Sequence, residues 1–184
     1  MKQPIRLLSL LLIAQLALIL LLWSQGIATG RGDAVSLIPE PSQITGLILE
    51  DPEEGKLQLY QSGDGWQFMD ADDEDAERVD QARVERLINR LTELSPDFPV
   101  ARSDEARERF RVAEDDFRRK LTLTRNSGEE TVLLVGTSPV MGESYLRLSE
   151  DAAIYRVELP VYELSVNRDV WSKSEDAEVE TQKP

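Results

Sequence analysis

The sequence predicts an α+β domain behind a single N-terminal membrane helix, and three observations predict it. An uncharged apolar run fills residues 7–23. Short segments with period-2 alternation come in pairs around turn residues near 62–65, 125–128 and 150–152. One long stretch, residues 84–94, carries helical periodicity instead. The expected architecture is a set of antiparallel hairpins forming a sheet packed against one long and one short helix, preceded by a single transmembrane helix.

Residues 1–6 carry Lys2 and Arg6 and no acid, and read as a cytoplasmic n-region. The 17 uncharged residues from Leu7 to Trp23 are interrupted only by Ser9 and Gln15 among polar side chains. At about 1.5 Å per helical residue they span roughly 25 Å, close to a bilayer's hydrocarbon core. Ile5, Ile27 and the interfacial Trp23 extend the span. Two flanking cations place the N-terminus in the cytoplasm and everything after Trp23 on the far side, so the expected location is the inner (cytoplasmic) membrane, single-pass, with a periplasmic or extracytoplasmic domain. Gly26-Ile27-Ala28 also offers small residues for signal-peptide cleavage, but the apolar run exceeds the usual h-region of about 7–15 residues, which favours an uncleaved anchor.

Residues 24–43, with Gly26, Gly30, Gly32, Pro39 and Pro41, read as a linker. Residues 172–184 hold four acids, two lysines and almost no large apolar side chain, and read as a disordered acidic tail. The extracytoplasmic domain is thus expected over 44–171, long enough for one core.

Within it, Ile44 to Leu49 forms a strand. Leu57 and Leu59 alternate up to the Ser62-Gly63-Asp64-Gly65 turn, and Trp66 and Phe68 return on one face toward the core. Asp70 to Asp80 then holds seven acids against one arginine. A calcium loop started at Asp70 would need Gly at position six and Glu at position twelve; the chain has Asp75 and Gln81 there. The run therefore reads as a solvated loop feeding a helix whose positive N-terminal end favours Asp75 and Glu77. In that helix Val84, Leu87, Ile88, Leu91 and Leu94 make one apolar stripe, while Arg83, Glu85, Arg86, Asn89, Arg90 and Glu93 take the wet face. Ser95-Pro96 ends it.

Ser103 caps a short helix through Phe110, with Asp104 and Glu105 in its first turn. Residues 102–120 hold seven bases and six acids, a balance that suits a salt-bridged surface better than a headgroup-docking patch. Leu121 and Leu123 then alternate into the Arg125-Asn126-Ser127-Gly128 turn, and Thr131 to Val135 returns. Tyr145–Leu148 and Ile154–Val157 form the last pair. Gly136 to Ser144 faintly resembles a phosphate loop, but it is one residue too long and sets Glu143 where the lysine belongs, so nucleotide binding is not expected. Pro160 to Trp171 makes a short helix or turn that carries Val161, Leu164 and Trp171 back to the core.

Composition narrows the chemistry. Among 184 residues there are 35 Asp+Glu, 21 Lys+Arg, no His and no Cys, for a net charge of −14. Thiol nucleophiles, disulfides, His-based triads and His-ligated zinc are excluded. The chain also has no cysteine to be acylated as a lipoprotein. Nucleic acid is disfavoured by compartment, and charge agrees. Residues 50–80 alone hold twelve acids and two bases, so the negative charge is local.

The order of elements resembles the domain of unknown function 4340 family. Gly65-Trp66, the Val84–Leu94 stripe, Leu133 to Gly136, Tyr145 to Arg147, Ile154 to Val157 and Val161 to Trp171 carry the resemblance. Two departures stand out: the acidic run replaces a proline after the tryptophan, and Phe110-Arg111-Val112 occupies the place of Tyr-Gly-Leu. The resemblance implies a membrane anchor and an extracytoplasmic domain without known catalysis, a companion of ABC transporters of the gliding-motility type. It supplies no catalytic, cofactor-binding or metal-binding residues, and none is assigned.

The leading expectation is a non-enzymatic interaction domain that meets the membrane through its N-terminal helix and a membrane-protein partner such as an ABC-type transporter, with no nucleic acid and no nucleotide. One alternative is a cation-sensing module using the acidic loop. Another is a carboxylate-dependent hydrolase, although acids in an exposed run stay ionised and a general acid must be desolvated. Ser-Lys chemistry has only Lys56 and Lys120 to draw on within the domain.

Overall fold

The computed structural model describes residues 15, 37–38, 43–63, 65–69, 78–96 and 98–173. The chain divides into two units, Met1–Ala34 and Val35–Pro184. The proposed anchor, residues 7–23, lies outside the described residues except for Gln15, which is helical and exposed. Among the described residues no helix is long and apolar enough to cross a membrane.

The second unit holds a seven-stranded antiparallel sheet: β1 (Ile44–Asp51), β2 (Gly55–Ser62), β3 (Gly65–Phe68), β4 (Arg119–Arg125), β5 (Glu130–Val135), β6 (Ser144–Leu148) and β7 (Ile154–Val157). Their order across the sheet is β3-β2-β1-β4-β5-β6-β7. Two meanders therefore run outward from a central antiparallel pair, with Leu47 opposite Leu123 and Leu49 opposite Leu121. The α+β class and the hairpins agree with the sequence. The β1–β4 seam that fuses the hairpins into one sheet was not anticipated.

Alternation gives the sheet two faces. On the first, Leu47, Leu49, Leu59, Phe68, Leu121, Leu123, Leu133, Val135 and Leu146 join one continuous core. Helix α1 (Gln81–Glu93) closes it with Val84, Leu87, Ile88 and Leu91, the expected stripe. Asp80 caps α1, its side chain accepting from the Arg83 N–H at 3.1 Å. Asp75 and Glu77, which the sequence placed at that end, lie outside the described residues; no acid occupies the first turn of α1. Leu37 and Ile38 are buried in the same core, so this part of the 24–43 segment packs on the domain rather than serving as spacer.

The second face is covered at one end. Helix α2 (Asp104–Phe110), capped by Ser103 as expected, packs there, with Ala106, Val112, Leu134 and Ile154 forming a smaller core. Tyr145 stacks on Phe110 with ring centroids 4.0 Å apart. Arg147, on β6 with Tyr145, is 3% exposed, and its guanidinium donates to the carbonyls of Val112, Leu148, Ser149 and Asp151 and to the Glu114 carboxylate. A buried cation is tolerated here because its donors are answered.

Helix α2 ends at Arg111, a non-glycine residue in left-handed conformation (φ 55°, ψ 53°), in the place where the resemblance leads to the expectation of glycine. Opposite it, Gly136 passes so close that a Cβ would sit 1.9 Å from the Phe110 carbonyl oxygen. Both sheet edges are answered. The Gln81 amide brackets edge strand β3, accepting from the Trp66 N–H and donating to the Trp66 carbonyl. Val100 and Ala101 pair with Ile154 on β7.

Candidate functional site

The C-terminal part of the chain builds the second wall of a groove along α1. After Pro160 come two 3₁₀ turns, Val161–Leu164 and Arg168–Trp171. Leu164 and Trp171 are fully buried and Val161 packs beside them, as the sequence anticipated. The Trp171 indole N–H donates to the Ser165 carbonyl at 2.7 Å, and the Trp171 carbonyl accepts from the Asp80 N–H at 2.7 Å. Ser172 and Lys173 remain tied to 78–79, through a Val79–Ser172 bridge and a Lys173 N–H bond to the Arg78 carbonyl.

Between this return segment and α1 lies an open groove of about 490 Å³, its floor supplied by Leu87 and Trp171. On the helix side, Arg83, Arg86 and Arg90 stand at i, i+3 and i+7, one stripe of the face that the sequence left to solvent. On the other side Tyr162 is 73% exposed. A second depression of about 370 Å³ shares Arg90 and Glu93 and continues past Leu94 to Pro96 and the Arg156–Glu158 end of β7.

The three arginines are not equivalent. Arg90 pairs with Glu163 across the groove. Arg83 sets its guanidinium carbon 5.8 Å from the centroid of the Trp171 ring. The Arg86 Nε donates to the Ala82 carbonyl within the helix. Neither Arg83 nor Arg86 meets a carboxylate among the described residues. At the far end Arg156 pairs with Glu143, and its hydrogen bond holds the Glu143 carboxyl below the ordinary glutamate range while raising the Arg156 guanidinium. Guanidinium groups stay charged at any working pH, so the groove offers fixed positive charge beside an aromatic rim.

The basic stretch 102–120 behaves differently. Arg107 pairs with Asp104, Arg111 with Asp116, Arg119 with Asp51 and Glu54, and Lys120 with Glu50, as expected of a salt-bridged surface. Lys56 and Lys120 lie inside β2 and β4. Ser144 is buried and spends its hydroxyl on the Leu159 carbonyl at 2.6 Å. Trp66 is core. Of the acidic run, residues 70–77 lie outside the described residues; Asp80 is the helix cap. Among the described residues no group of three Asp or Glu side chains is placed to hold a metal ion. Sequence reasoning named no site residue and read the arginine stripe as a wet face. The available signal was three arginines at 83, 86 and 90, spaced i, i+3 and i+7 on one helix face in a chain of net charge −14.

Against known proteins, no curated protein and no solved structure matches the chain. A family described as domain of unknown function (DUF4340) matches residues 72–183, a range that leaves β1–β3 outside and includes every residue lining the groove. With more than half of its length matched, the chain belongs to the domain of unknown function 4340 family.

Proposed function

We propose that this protein is a non-enzymatic interaction domain, anchored in the cytoplasmic membrane by residues 7–23 and exposed on the extracytoplasmic side, where it accompanies a membrane complex such as an ABC-type transporter. The observation that carries the reading is the groove along α1, where Arg83 and Arg86 stand beside the exposed Tyr162 and meet no carboxylate among the described residues. Arginine and tyrosine at the rim of a concave apolar floor are the side chains that concentrate binding energy at protein interfaces. The apolar run behind Lys2 and Arg6 supports the anchor and its orientation. Family membership is compatible with the reading, since the resemblance implies accessory domains without known catalysis.

Affinity purification of the full chain from detergent-solubilised membranes tests it. The expected result is co-purification of an integral membrane protein in defined stoichiometry. Recovery of the full-length chain from the soluble fraction, with no membrane partner, would overturn the proposal.

A further inference from the structure

The loop between β5 and β6 raises one apolar side chain into solvent and holds it there. Among the described residues Met141 is the most exposed large apolar side chain, at 98%, and Val140 beside it is half exposed. The Glu143 N–H donates to the Val140 carbonyl at 3.2 Å and Gly142 adopts φ 87°, which closes a turn with Met141 at its apex. The turn stands on a fixed base. The Gly136 N–H donates to the Tyr145 carbonyl, the Thr137 N–H donates to the Phe110 carbonyl of α2, and Glu143 pairs with Arg156 on β7. None of these bonds uses the Met141 side chain, so its sulfur can change without loosening the fold.

Exposure matters here because the chain has no cysteine to intercept an oxidant, and its methionines are Met1, Met69 and Met141. Met1 lies outside the described residues, and Met69, just after β3, is 54% exposed. Trp66 and Trp171 are buried. A hydroperoxide passes one oxygen to a thioether: a sulfur lone pair forms the S–O bond, the O–O bond breaks, and the proton moves to the departing oxygen. The sulfur is oxidised by two electrons while the peroxide is reduced to water or an alcohol. A divalent sulfur carries two lone pairs, and attack through one or the other gives opposite sulfoxide epimers. With nearly its whole side chain in solvent, Met141 offers both.

We propose that Met141 is a site of reversible oxidation by hydroperoxides, which forms both sulfoxide epimers in equal amounts and converts the apex of the loop from apolar to polar while the fold stays intact. The proposal goes beyond the interaction-domain reading and does not depend on it.

The test treats the full chain in neutral detergent micelles with hydrogen peroxide and follows each methionine by peptide mass spectrometry. Met141 is expected to gain one oxygen about twofold or more faster than Met69. Two stereospecific methionine sulfoxide reductases, each acting on one epimer, then separate the products. Either alone should restore about half of the oxidised Met141, and the two together should restore all of it. A Met69→Leu variant isolates the effect of Met141 on the fold, and its melting temperature should be the same before and after oxidation. Met141→Leu should remove the faster site and melt with the wild type. Oxidation of Met69 as fast as Met141 or ahead of it, or complete repair of Met141 by one reductase alone, would overturn the proposal, because either means that the sulfur is covered. A lower melting temperature of the oxidised Met69→Leu protein would overturn it as well, since the side chain would then support the fold.

Discussion

Replacing Gly136 with alanine should damage the fold far more than a single methyl group suggests. The new Cβ would meet the Phe110 carbonyl oxygen at 1.9 Å, the Arg111 carbonyl oxygen at 2.7 Å and Val112 Cγ1 at 2.8 Å. Two of the three are backbone atoms at the end of α2, held in place by the Thr137 N–H bond to the Phe110 carbonyl at 2.9 Å and by Val112 sealed in the second core. Neither can yield without separating α2 from the sheet. Overpacking in a close-packed interior costs about 1–3 kcal/mol, and a clash with backbone sits at the top of that range. A loss of about 3 kcal/mol from a domain of this size lowers the melting temperature by roughly 10 °C. Near-ultraviolet circular dichroism through a thermal scan reads it directly, since Trp66 and Trp171 are both core residues. Gly63→Ala is the control: nothing lies within 4 Å of its Cβ position, and it should melt with the wild type. A Gly136→Ala protein that also melts within a degree or two of wild type would show that α2 does not pack on the β5 end as described.

Arg147→Met should cost about 3 kcal/mol in urea denaturation, because the carbonyls of Val112, Leu148, Ser149 and Asp151 lose their common donor; an unchanged midpoint would mean that water replaces it freely. Arg111→Gly should raise stability slightly, by about 0.5 kcal/mol, as relief of left-handed strain outweighs loss of the half-exposed Asp116 pair. Arg111→Ala keeps the strain and loses the pair, so it should be less stable than wild type; the opposite order of the two variants would refute the strain argument. The Arg156 hydrogen bond lowers the Glu143 carboxyl relative to the unfolded chain, so the pair's small contribution is present above the ordinary glutamate range and lost as pH falls through the folded value. Denaturation midpoints of wild type and Glu143→Gln should therefore differ near neutrality and converge in acid, and a gap that widens with acid would reverse the assignment.

The local elements were legible because their signals are local. The Ser62–Gly65 and Arg125–Gly128 turns, the Val84–Leu91 stripe and the Ser103 cap each depend on a few consecutive residues, and each stands where the pattern placed it. The β1–β4 seam pairs residues such as Leu47 and Leu123, far apart in the chain with β2, β3 and both helices between them, so no short window reveals it. Leu37 and Ile38 escaped notice among glycines and prolines, since two apolar residues form no period. The groove was hidden for a related reason. Arg83 and Arg86 belong to a polar helix face by sequence, and only the return of residues 160–171 across α1 turns that face into the wall of a cleft. Arg147 shows the converse: a strand residue that reads as solvent-facing becomes buried because α2 and the loop after β6 wrap its fork with carbonyls.

Site-specific photo-crosslinking in intact membranes tests the central claim, that the α1 groove is the surface through which an anchored domain meets a membrane protein. A benzophenone amino acid placed at Tyr162 or Asn89, both at the groove, should give one discrete adduct with an integral membrane protein. The same probe at Gln58, on the opposite sheet face, should give none. Adducts from Gln58 but not from Tyr162 or Asn89, or the absence of a membrane-protein adduct at the groove, would contradict the account.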